Sequence, residues 1–219
     1  TAVNVSFKDG KTAKKFILNK AVEDADALIS VCKMKTHALE KITGAVKNQY
    51  GCIYANNKAI GHALYPTAND FAKMIVDLNN YIKPRLYVMD GIMAMEGNGP
   101  ASGNPVMMNV ILISKDPVAL DTVYCKLINL DPTLVPTNVY GEKFGLGFSS
   151  FNDIQIVTPD GEIGPEEAYN RYGNSTFDVN RSVQKFWALK ALFLKSKKPH
   201  HRPVVDLERC VVCGVCEES

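Results

Sequence analysis

The stretch Thr67-Ala-Asn-Asp70-Phe71-Ala-Lys-Met74-Ile75-Val-Asp-Leu78-Asn-Asn-Tyr81, followed closely by Arg85-Leu-Tyr-Val-Met89, decides the fold class. Phe71, Met74, Ile75 and Leu78 recur at i, i+3, i+4 and i+7, which is one apolar face of a helix. Thr67 and Asp70 stand at its start as a capping pair, where side-chain oxygens can satisfy the first free amides. The second run reads as a strand. Working outward, further strand-like runs lie at Ala2 to Phe7, Lys15 to Leu18, Ala27 to Cys32, Val106 to Ser114 and Asp153 to Val157. After Asp116 the helical period returns. Asp116 suits an N-cap, Pro117 the first helical position, and Leu120, Val123, Tyr124 and Leu127 form the stripe. Strands alternating with helices predict an α/β body over residues 1–180, with a largely parallel sheet flanked by helices.

A chain of 219 residues with 46% hydrophobic content can bury one substantial core, and its formal charge of +2 gives no reason to expect nucleic acid or an anionic membrane as an obligatory partner. No run approaches the roughly 18 apolar residues of a membrane helix, and no signal peptide opens the chain. Charge is uneven, however. Arg181 to Arg209 holds eight Lys or Arg against two acids, so a basic approach follows a mildly acidic body. Within it, Arg181 to Leu194 shows a last helical pattern with Phe186, Leu189, Leu192 and Phe193. The proline- and lysine-rich Lys195 to Pro203 reads as an extended linker, so residues 181–203 form a helix and basic linker. Thr1 enters almost directly into a strand pattern without an initiator methionine, which predicts that an amino-terminal part of the body precedes it.

Cysteine usage points to metal chemistry. Cys32, Cys52 and Cys125 lie scattered among apolar residues, where a thiol behaves as a small hydrophobe, whereas Cys210, Cys213 and Cys216 fall within seven residues. Their two x2 steps begin the bacterial ferredoxin run, in which a tight loop wraps one [4Fe-4S] cubane and aims successive sulfurs at different irons. Gly214 permits the tight backbone, and Val211, Val212 and Val215 can shield a cluster from water. Residues 204–219 therefore read as a truncated ferredoxin-like segment whose fourth cysteine would fall just past Ser219. With three thiolates alone, the expectation is an empty or adventitiously occupied set. The alternatives are half of a zinc site or three free thiols. Clustered thiols without an export signal favour the reducing cytoplasm.

In the body, the strand Ala27 to Cys32 leads into Lys33-Met-Lys35-Thr36-His37, then Thr43-Gly-Ala-Val-Lys47-Asn48-Gln-Tyr-Gly51. Polar residues beyond the end of a parallel strand lie where open α/β sheets place ligands. Lys35, Thr36, Lys47 and Asn48 are candidates to bind a small anion, with His37 and Lys47 as candidate catalytic residues. The plainer alternative makes Lys33, Lys35 and Lys41 solvated lysines and His37 a hydrogen-bonding residue. A second strand end runs into Asp90-Gly-Ile-Met-Ala-Met-Glu96-Gly97-Asn-Gly-Pro-Ala-Ser-Gly103, a glycine-rich loop whose Asp90, Glu96 and Gly97 can approach a ligand or merely shape a turn. It matches neither a dinucleotide fingerprint nor a P-loop. His62 and Glu96 are weak candidates to join His37 on a metal. Asp116 is expected to be structural, while Asp121 can face a pocket or a lysine.

These motifs together resemble the family of domains of unknown function numbered 362. The likeness is carried by Lys33-Met-Lys-Thr-His37, Val46-Lys-Asn48 with Gly51, Asp90-Gly91, Met95-Glu-Gly-Asn-Gly-Pro100 with Gly103, Asp116-Pro-Val-Ala-Leu-Asp121 and Gly145-Leu-Gly147. The resemblance implies an α/β body with an amino-terminal portion, a cluster-bearing carboxyl terminus and a setting in anaerobic metabolism, but no substrate. The expected function is thus an iron-sulfur redox protein whose body holds a small anionic ligand and whose basic linker can receive a redox partner protein. A non-redox acid/base enzyme with a structural cluster, or a partner-binding electron carrier, are the alternatives.

Overall fold

The protein is described here by a computed structural model over residues 1–182. Cys210, Cys213, Cys216, the linker and all but the first two residues of the helix expected at Arg181 to Leu194 lie outside the described residues.

The chain opens with β1 (Ala2–Ser6), β2 (Lys15–Asn19) and the single turn α1 (Lys20–Glu23). β3 (Ile29–His37) and β4 (Lys41–Thr43) follow, then α2 (Ala45–Asn48), α3 (Asn57–Leu64) and α4 (Ala68–Ile82). A long hairpin, β5 (Leu86–Glu96) with β6 (Asn104–Ser114), leads into α5 (Pro117–Leu127) and α6 (Pro136–Lys143). The small hairpin β7 (Ile156–Thr158) and β8 (Gly161–Ile163) precedes α7 (Pro165–Tyr172).

The expected helices form for the expected reasons. Thr67 accepts the amide of Asp70 at 3.1 Å and starts α4, whose Phe71, Ile75 and Leu78 are fully buried, each worth about 1.5–3 kcal/mol of transfer free energy. Asp116 accepts the amides of Val118 and Ala119 at 2.8 and 2.9 Å and starts α5, while its other oxygen takes the amide of Phe148. Its structural role ties the helix to the Gly145–Gly147 turn.

The main sheet runs β4-β3-β5-β6 and is mixed, not largely parallel: β3 and β5 are parallel, while β4 joins β3, and β6 joins β5, antiparallel. The cause is connection length. Three residues separate β3 from β4 and seven separate β5 from β6, far fewer than a parallel crossover needs. The sheet strands also run further than their apolar runs suggest. Lys33 to His37 belongs to β3, and Asp90 to Glu96 to β5, so only residues 97–103 form the glycine-rich loop. Polar residues hid this because one face of the sheet is open. Cys32, Met34, Tyr87, Met89 and Val110 pack inward against Leu120, Tyr124 and Leu127 of α5, while Val31 and Ile113 on the other face are 67% and 63% exposed.

A second core joins α4 to the β1–β2 hairpin through Val5, Phe16, Leu18 and Met74. Asp77, buried on α4, fastens that hairpin by accepting the amides of Lys11, Thr12 and Ala13 at 3.0, 2.6 and 2.8 Å. Three amide donors on one carboxyl group satisfy polar oxygens whose burial would otherwise oppose folding.

Candidate functional site

The site is built where β3 ends. His37 closes the strand, residues 38–40 turn, and β4 returns alongside. Within the turn, His37 Nδ1 accepts the backbone amides of Leu39 and Glu40 at 3.2 and 3.1 Å. An acceptor Nδ1 places the proton on Nε2. Burial, reinforced by the charges of Lys47, His62 and Lys35, lowers the imidazole pKa to about 3. His37 is thus a neutral ring that can donate from Nε2.

Glu40, in the same turn, is 0% exposed and neither carboxyl oxygen has a hydrogen-bond partner. Burial pushes its pKa well above the carboxylate range, although Lys47 pulls the other way. Burial also lowers the Lys47 pKa, assisted by Lys35 and Lys58 and opposed by Glu40. Sequence reasoning missed Glu40, because a lone acid between Leu39 and Lys41 reads as surface and only tertiary burial marks it.

Lys47 reaches this cluster from α2, a single turn that could not hold itself. Asp121 of α5 anchors it by accepting the amides of Ala45 at 2.6 Å and Val46 at 3.1 Å. The approach is so close that a Cβ on Gly44 would stand 2.0 Å from an Asp121 oxygen. Burial raises the Asp121 pKa to about 7 against the pull of those two amides. Of the two expected surroundings for Asp121, pocket or lysine, it has neither as a direct partner; it caps α2.

The other candidates divide. Lys35 donates to the carbonyl of Pro100 at 3.1 Å, and Gly99 packs against Thr36, whose buried hydroxyl lacks a partner. The hairpin loop therefore lies against the β3 end. Asn48 donates to Ser30 Oγ at 3.3 Å, alongside Gln49 at 2.5 Å, and so braces α2 on β3. Asp90 is placed elsewhere, paired with Lys33 at 2.6 Å across β3 and β5. That hydrogen bond and the Ile92 amide hold its carboxyl below the usual range. Glu96 accepts the Asp178 amide at 2.8 Å, and the Gly97 amide donates to the Asp178 carbonyl, so this pair latches the segment after α7. Lys41 is no solvated lysine: it is 3% exposed and donates to the carbonyls of Asn180 at 3.0 Å and Ser182 at 2.6 Å. No group of three His, Cys, Asp or Glu among the described residues is arranged to hold a metal, so His37, His62 and Glu96 do not form one.

Lys35, Thr36, His37, Glu40 and Lys47 thus come together from β3, its turn and α2, with Asp121 setting α2 in place. The sequence profile of a family described as a domain of unknown function (DUF362) matches residues 1–126, over half the chain and every one of these residues. The chain belongs to the DUF362 family. Within curated proteins, this DUF362 chain is 41% identical over 130 residues to the Thylakoid-associated protein sll1697 of Synechocystis sp.. The aligned region covers 59% of this chain and 40% of that relative, so the chain spans well under half of the relative's length. No solved structure matches the chain. No helix of the described residues is long and apolar enough to cross a membrane.

Proposed function

We propose that this DUF362 protein is an iron-sulfur redox protein of the reducing cytoplasm whose body binds a small anion between Lys35, His37 and Lys47. The observation that carries the body's part is the convergence of two lysines, a neutral, donating histidine and a buried glutamate without a hydrogen-bond partner. Cationic and N–H donor groups with reduced access to water favour an oxyanion, because the low local dielectric strengthens each interaction. Glu40, held neutral by burial, can supply a proton as charge on the ligand changes.

The cluster reading rests on the spacing of Cys210, Cys213 and Cys216. Donor chemistry supports assigning it there. Burial pushes the thiols of Cys32 and Cys125 far up and raises that of Cys52, so the body's own cysteines are poor thiolate ligands. Three tail thiolates can hold three irons of a [4Fe-4S] cubane, with the fourth iron liganded from elsewhere. When bound, the cubane supplies single-electron transfer. The basic approach to these cysteines suits an acidic redox partner.

Iron and acid-labile sulfide analysis, with electron paramagnetic resonance after reduction, tests the cluster on the full-length protein prepared without oxygen. About four iron and four sulfide with a reduced-cluster signal is the expected result, and zinc alone sinks it. A non-redox acid/base enzyme is the second reading, favoured by Glu40, a carboxyl that burial holds protonated in the same turn as His37. In that case a folded variant lacking all three tail cysteines retains turnover.

A further inference from the structure

A cavity of about 490 Å3 lies between the β1–β2 hairpin and α3, with Val5, Phe16, Ile53, Ile60, Leu64 and Met74 in its wall. Its volume falls within the range of small-molecule sites, and its lining is mostly apolar. α3 buries none of its own residues, and Ile60 and Leu64 remain 54% and 68% exposed. Apolar surface left in contact with water beside a preformed groove is surface that an apolar ligand would cover favourably.

Tyr50 connects this groove to the anion site. Its ring lines the cavity, while Lys47 Nζ stands 5.9 Å from the ring centroid. Its hydroxyl donates to the carbonyl of Lys58 at 2.6 Å. His62 of α3 meets the same ring edge-on at 5.4 Å, stacks on Phe71 at 4.3 Å, and is coupled by charge to Lys47. Tyr50 is therefore shared by the wall of the apolar trough and the cationic cluster, and Lys15 adds a further cation to the trough's wall.

From this juxtaposition we propose that the site takes an amphipathic anion: a carboxylate or phosphate monoester head at Lys35, His37 and Lys47, with an aliphatic chain passing Tyr50 into the groove. The inference rests on the anion reading above and adds the substrate's apolar part. Charge complementarity fixes the head, and the cavity fixes the tail.

Isothermal titration of the full chain with five probes separates the possibilities: acetate and octanoate, inorganic phosphate and octyl phosphate, and octanol. A buried methylene is worth about threefold to fourfold in affinity, so octanoate or octyl phosphate is expected to bind at least roughly thirtyfold more tightly than its short counterpart. Whichever head gains more identifies the source. The double variant Ile60→Gln, Leu64→Gln, both at exposed positions, removes that gain and leaves short-anion binding alone, whereas Lys47→Gln weakens every anion. Equal binding of short and long anions, still dependent on Lys47, overturns the groove while the anion site stands. Octanol binding as tightly as octanoate and indifferent to Lys47→Gln overturns the anion site and this proposal with it. Absence of binding by every probe overturns both.

Discussion

Asp121 on α5 and Gly44 at the start of α2 are in contact so close that only a glycine fits, and through that contact the carboxylate caps the turn that carries Lys47. Replacing Asp121 with Ala leaves two buried amides without an acceptor, and a loss of about 1–3 kcal/mol is expected in urea denaturation. Gly44→Ala, which drives a methyl into the carboxylate, should cost a comparable amount. A double variant less destabilised than the sum of the two shows that they act through one contact.

Asp121 also gives a pH signature. Its folded-state pKa of about 7 lies above the unfolded value, so the folded state binds the extra proton between about pH 4 and 7. Stability from this group is present at low pH and lost as pH rises through 7. Asp121→Asn should lack that decline, so the variant's stability relative to the parent rises between about pH 4 and 7. An unchanged pH slope would count against a buried, proton-binding carboxyl.

His37 has the opposite sign. Its pKa is depressed to about 3, so an unfolded histidine takes up a proton near pH 6.5 while the folded one does not. Its contribution is complete above that pH and disappears as pH falls toward 3. Nitrogen-15 NMR of the imidazoles should show His37 neutral from pH 5 to 8 with the proton on Nε2. A midpoint near 6.5 for this ring refutes the arrangement.

Glu40→Gln removes a group that burial opposes ionising. Because the folded-state pKa is raised, the parent loses stability as pH climbs above the ordinary carboxylate range, and the variant does not. The melting temperature of Glu40→Gln relative to the parent is expected to rise as pH is increased above the ordinary carboxylate range. A difference that stays constant there would mean Glu40 titrates normally.

Lys41 holds the carbonyls of Asn180 and Ser182 at the end of the described body. Lys41→Met keeps the stem and deletes both charge-assisted bonds, costing about 1–3 kcal/mol. The local consequence is sharper than the global one: backbone amides near residues 180–182 should exchange faster and proteases cut there sooner. Unchanged exchange would show that Arg181, bonded to the carbonyls of Ile128 and Phe177, suffices alone.

Much of the framework was legible in the linear chain because its causes are local. The period of Phe71, Met74, Ile75 and Leu78, the capping oxygens of Thr67 and Asp116, and Pro117 at the first turn act within a few residues. The lysines and histidine around Lys35, His37 and Lys47 were legible too, as polar residues following an apolar run. What tertiary structure alone decided was pairing and burial. Sheet direction followed from the short β3–β4 and β5–β6 connections, and Asp90 and Glu96 became strand residues because the face beside Val31 and Ile113 is open. In sequence Glu40 and Lys41 look like surface charges, and Asp121 can face either a pocket or a lysine. Their solvent is removed, and Lys41 and Asp121 gain their partners, only when segments 76 to 141 residues apart close around the β3–α2 turn. The sequence specifies which groups can be charged, but the dielectric that sets their protonation is made by the fold.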